Sequence, residues 1–137
     1  MPVRTDRVED HPMHAEYIRV SADLVSRIEA TRARGGPVIA IGTTVVRALE
    51  SAASGERLQA YCGETRLLIC PGYRWRVVDG LLTNFHAPRS TLLALVSAFM
   101  GDEERRAAYA HALAQGYRFL SYGDALWLPS RKRKGRP

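Results

Sequence analysis

Two spacings of apolar residues alternate along the chain. Apolar positions recur every second residue, or in short unbroken runs, over residues 14–20, 37–41, 66–70, 75–79 and 117–128, which predicts strands. They recur at three- and four-residue spacing over 22–34, 44–53, 91–100 and 102–115, which predicts helices. Ser21 suits the N-cap of the first helix, Asp23 suits the positive end of its dipole, and Gly35 and Gly36 stop it. Leu92 to Phe99 is apolar nearly all round, as in a buried helix. Residues 56–65 are polar and read as a mobile connection. Alternating strands and helices predict an α/β (or α+β) fold with a mixed sheet and flanking helices.

Polar chemistry gathers in one place, Asp79 to Thr91 (DGLLTNFHAPRST). Asp79 closes a predicted strand, while Ser90 and Thr91 open a predicted helix, so Asn84, His86 and Arg89 are expected on the connection. Catalytic groups are commonly carried on such loops. His86 with Asp79, and His14 with Glu16, are the acid/base candidates, because an imidazole titrates near neutral pH and a carboxylate can orient it. The plain alternative is a histidine satisfied within the packing, and His111, among helical alanines, is read that way. Ser90, His86 and Asp79 together do not make a serine hydrolase, since no GxSxG elbow is present.

A second candidate is IGTTVVRALES, residues 41–51, where Gly42, Thr43 and Thr44 stand at a predicted helix start directly after a predicted strand. Such an end can hold carboxylate or phosphate oxygens. An ordinary tight turn remains the other reading, and the spacing is neither that of a Walker A loop nor of a GxGxxG fingerprint. Arg47 and Glu50 lie at helical spacing and are expected as a surface ion pair. The aromatics Tyr73, Trp75, Tyr117, Phe119, Tyr122 and Trp127 suit either stacking on nucleobases or packing in the core.

Composition narrows this picture. The 137 residues are 46% hydrophobic, enough for a core. The net charge of +6 owes five basic residues to Arg131, Lys132, Arg133, Lys134 and Arg136, which leaves 15 basic against 14 acidic residues elsewhere. The basicity therefore belongs to a tail over 129–137, expected as a solvated end, with contact to nucleic-acid phosphates as the alternative. Cys62 and Cys70 show no metal or disulfide spacing, and His11 and His14 form no zinc pattern, so no metal site is expected. Neither a leader nor a run of the ~20 apolar residues that a membrane span needs is visible, so a soluble, cytoplasmic protein is expected.

Four blocks in order, HPMHAEYIRV, AIGTTVVRALESA, PGYRWRVVDGLLTNFHAPRSTLLALVSAFMG and YRFLSYGDALWL, resemble the C-terminal part of the S-adenosylmethionine:tRNA ribosyltransferase-isomerase family of queuosine biosynthesis. The resemblance covers residues 1–128 and implies a partial domain, with an upstream segment and a β-rich domain absent. It implies transfer and isomerisation of the ribosyl part of S-adenosylmethionine onto 7-aminomethyl-7-deazaguanine at the tRNA wobble position. Epoxyqueuosine-tRNA, adenine and methionine would be formed, with S-adenosylmethionine as co-substrate and no prosthetic group. The partner would be the modified tRNA, joined by a separately encoded N-terminal part if the gene is split and by none if the chain is a truncated relic, with no membrane. His86 is then expected as the base that removes a proton beside the sulfonium, oriented by Asp79 or Glu16. Gly42, Thr43, Thr44, Asn84, Ser90 and Thr91 are expected to hold S-adenosylmethionine, and Arg47, Arg89, Tyr73 and His14 to contact substrate or tRNA. The reading from another class is a non-catalytic RNA- or ligand-binding module that keeps the fold.

Overall fold

The computed structural model describes residues 15–55, 57–86, 90–120 and 123–129. The elements run β1 (Glu16–Val20), α1 (Ala22–Ala33), β2 (Ile39–Ile41), α2 (Thr43–Ala52), β3 (Tyr61–Thr65), β4 (Gly80–Asn84), α3 (Thr91–Met100), α4 (Asp102–Ala114) and β5 (Ala125–Leu128). This is a mixed α/β architecture. The residues fall into two compact units, one built on Ala15–Thr65 and Trp75–Leu82 with the end of β5, the other on Arg66–Arg74 and Thr83–Leu126.

In the first unit, β1 and β3 pair antiparallel from Glu16 opposite Thr65 to Val20 opposite Tyr61. β2 pairs parallel with β4, Ile39 opposite Gly80 and Ile41 opposite Leu82, and β4 lies between β2 and β5. Helix α2 packs against β1, β2 and β3, burying Val46, Leu49 and Ala52 along one stripe. Helix α1 begins where expected, Ser21 Oγ accepting the Leu24 N–H at 3.1 Å. Gly42 ends β2 at φ +95°, a conformation that side chains resist, and its N–H donates to Leu82 O at 2.8 Å. The glycine therefore turns the chain from strand to helix while keeping its place in the ladder.

In the second unit α3 packs against α4, with Leu95, Val96 and Phe99 of α3 and Tyr109 and Ala112 of α4 buried. Ser90 Oγ accepts the Leu93 N–H at 3.1 Å and caps α3. Ser90→Ala is expected to cost about 1 kcal/mol, read as a lower urea midpoint, because it strands an N–H of the first turn. A midpoint equal to wild type would show the cap to be idle.

The helices lie within a residue of the expected limits, but the strands differ. Residues 75–79, expected as a strand, are irregular because the N–H groups of Arg76, Val77 and Val78 donate to the Glu50 carboxylate rather than to a ladder. Residues 66–70 are irregular too, and Ile69 is buried without joining a strand. The polar segment before them holds β3 instead, and β4 occupies half of what was expected to be a connecting loop. Among the described residues of 117–128, only Ala125–Leu128 is a strand. Ahead of it Asp124 folds the chain back, its carboxylate accepting the Arg118 N–H at 2.7 Å and its own N–H donating to Arg118 O at 2.8 Å.

Candidate active site

His86 lies just past the end of β4, with the imidazole enclosed at 9% exposure. Its Nε2 is 3.0 Å from Thr83 Oγ1, and its backbone N–H donates to the Tyr109 hydroxyl oxygen at 3.0 Å. The preceding residue is held as firmly. The Phe85 ring meets Tyr109 edge-on with centroids 5.1 Å apart and Phe119 at 5.1 Å, while Phe85 O accepts the Leu120 N–H at 2.8 Å. A polar strand end wedged into an aromatic cluster thus fixes both the backbone and the ring of His86.

Burial holds the His86 pKa below its ordinary value near 6.5, which keeps the imidazole neutral and able to accept a proton. Burial likewise raises the Tyr109 phenol, outweighing the hydrogen bond from the His86 N–H. For a histidine depressed in the fold, the unfolded chain binds the proton first as pH falls. The contribution to stability is therefore whole above about 6.5 and is lost as pH drops through that value toward the folded pKa. Urea midpoints are expected to fall between pH 7.5 and 5.5, by less in His86→Gln; equal slopes in both proteins would remove His86 as the cause.

The other expected residues divide between the two units. In the unit of His86, the Asn84 amide reaches toward the carbonyls of Gly123 and Asp124 at 3.5 and 3.4 Å. Ser90 caps α3, Thr91 is buried in its first turn, and Tyr73 is half-buried with its N–H on Cys70 O at 3.0 Å. His111 is exposed on α4, edge-on to Tyr117, rather than packed in the core. His14 and Arg89 lie outside the described residues.

In the other unit, Thr43 and Thr44 form the first turn of α2, which no side chain caps. Arg47 and Glu50 are not a surface pair, being 2% and 0% exposed. Arg47 Nη1 is paired with Glu16 Oε1, and the Glu50 carboxylate accepts three successive backbone N–H groups at 2.9, 2.8 and 2.9 Å. Asp79 Oδ2 accepts the Val38 N–H at 2.9 Å, beside the start of the β2–β4 pairing. The two carboxylates expected to orient His86 are thus engaged elsewhere, and Thr83 is the partner of the imidazole.

Sequence reasoning missed Thr83 and Tyr109 and placed the buried Glu50 at the surface. Glu50 had a usable signal, since it shares a helical face with Val46, Leu49 and Ala53, where a charge must be buried or compensated. Tyr109 had none, standing 23 residues from the N–H it accepts. Among the described residues no group of three or more His, Cys, Asp or Glu side chains could hold a metal, and no helix is long and apolar enough to cross a membrane.

Comparison with known proteins places this geometry in a family. The family model for queuosine biosynthesis proteins matches residues 1–128. An S-adenosylmethionine:tRNA ribosyltransferase-isomerase from Acidithiobacillus ferrooxidans is 60% identical over 126 residues, covering 92% of this chain and 36% of the relative. One from Sphingopyxis alaskensis is 54% identical over 138 residues, covering 99% and 39%. The crystal structure of an S-adenosylmethionine tRNA ribosyltransferase from Thermotoga maritima superposes with a TM-score of 0.78 at 44% identity, covering 81% of this chain and 39% of that one. The chain therefore spans well under half the length of the curated relatives it matches.

Proposed function

Because this chain belongs to the queuosine biosynthesis protein family, we propose that it carries part of the catalytic centre of an S-adenosylmethionine:tRNA ribosyltransferase-isomerase. The reaction is transfer and isomerisation of the ribosyl group of S-adenosylmethionine onto 7-aminomethyl-7-deazaguanine in tRNA, releasing adenine and methionine. The rest of the site would come from the portion of the relatives that this chain does not span. The observation that carries the reading is His86, a buried imidazole kept neutral and gripped at both ring and backbone. The proposed step is removal of a proton from the ribose carbon beside the sulfonium, whose positive charge stabilises the carbanion left behind. A neutral histidine suits that task near pH 7, and a protonated one does not.

Asn84 is proposed to offer its amide to ribose hydroxyls, its present contacts being long enough to exchange. The first turn of α2, with Thr43 and Thr44, has N–H groups directed at its open end and is proposed as a separate place for a carboxylate or phosphate oxygen. The remaining residues named from sequence, His14, Tyr73 and Arg89, are kept as proposed substrate or tRNA contacts. The Arg47–Glu16 ion pair is proposed to hold β1 on α2.

The test is adenine release from S-adenosylmethionine in the presence of deazaguanine-modified tRNA, with the N-terminal portion supplied in trans. Adenine formed by the wild-type pair and lost with His86→Ala supports the reading. Binding of tRNA with no adenine formed under any arrangement would instead identify a non-catalytic RNA-binding module.

A further inference from the structure

We propose that Thr83 is the positioning residue of His86: the imidazole donates its Nε2–H to Thr83 Oγ1, and this fixes the tautomer that leaves the lone pair on Nδ1. The inference rests on the reading of His86 as the proton-abstracting base. A neutral imidazole has one donor and one acceptor nitrogen, and whichever is engaged decides what the other can do. Here Nε2 is engaged, 3.0 Å from Thr83 Oγ1, and among the described residues Nδ1 has no hydrogen-bond partner. A base working from this ring must work from Nδ1, and Nδ1 carries a lone pair only if the proton sits on Nε2.

Three features make Thr83 suited to hold that arrangement. It lies within β4, so its backbone is fixed by the strand, whereas His86 lies two residues beyond the strand end. Its side chain is branched at Cβ and stiff about χ1, and at 8% exposure it has little room to choose another rotamer. The Tyr109 hydroxyl grips the His86 backbone from α4 while Thr83 grips the ring from β4, so imidazole and backbone are located independently. With the ring buried, little water competes for Nε2, so the tautomer follows from whether the Thr83 hydroxyl accepts the Nε2–H or donates to Nε2, and a base working from Nδ1 requires the first.

Nitrogen-15 spectra of the imidazoles of the full 137-residue chain at pH 7.5 test this directly, His86 being assigned by its loss in His86→Gln. The expected wild-type signal is a protonated Nε2 with an unprotonated Nδ1. Thr83→Val, which keeps the shape and removes the oxygen, is expected to give a mixture of tautomers, and Thr83→Ser to restore the single one. A wild-type ring protonated on Nδ1 overturns the inference, and that measurement needs no variant to fold. So does a Thr83→Val spectrum identical to wild type. Failure of the underlying reading shows in a different place: adenine release indifferent to His86→Ala would overturn the base assignment whatever the spectra show.

Discussion

Glu50→Ala is expected to destabilise the chain by about 3–5 kcal/mol, the range for breaking a buried charged network by removing one partner. The carboxylate is fully enclosed and serves the N–H groups of Arg76, Val77 and Val78 at 2.9, 2.8 and 2.9 Å. Alanine removes the acceptor that these three donors share, at about 1–3 kcal/mol for each that finds no substitute. Set against a total of roughly 5–15 kcal/mol for a domain, that is enough to unfold a sizeable fraction of molecules. Glu50→Gln keeps one acceptor oxygen but turns an NH₂ toward donors, and is expected to fall between alanine and wild type. Urea denaturation followed by circular dichroism measures both, and a loss below about 1 kcal/mol in Glu50→Ala would mean that the segment finds other acceptors.

His86→Ala is expected to lower the rate of adenine release by about 10²–10⁴-fold, the usual contribution of a positioned general base. The ring is not a pillar of the core: Phe85 beside it supplies the aromatic packing, and the hydrogen bond to Tyr109 comes from the His86 backbone, which alanine retains. A folded variant with a collapsed rate therefore separates chemistry from stability. A rate within about twofold of wild type, well short of the general-base range, would remove His86 from the chemistry.

The parts of the molecule that could be read in advance are those with local causes. Ser21 and Ser90 stand one residue ahead of apolar runs and cap the helices that follow, so α1 and α3 begin where expected. Strands depend on partners far away. Tyr61–Thr65 is too polar to announce itself and is a strand because β1 supplies the ladder, Tyr17 meeting Cys62 across 45 positions. Trp75–Asp79 has the composition of a strand, but a carboxylate on another helix takes its donors. The site divides in the same way. His86 and Asn84 stood out by density of polar groups. The partner of the imidazole did not, because a nearby carboxylate in sequence says nothing of which cation or N–H will claim it.

The pairing of β2 with β4 also sets a schedule during synthesis. The Val38 N–H waits for the Asp79 carboxylate 41 positions later, and the ladder that follows needs Gly80 to Leu82. At about 5–20 residues per second a ribosome takes about 2–8 s to deliver that partner. Through that interval the segment IAI is an apolar strand with both edges open, and Ile39 and Ile41 are still 46% and 70% exposed in the finished fold. A nascent chain is therefore most exposed to wrong pairing between the emergence of Ile41 and that of Leu82.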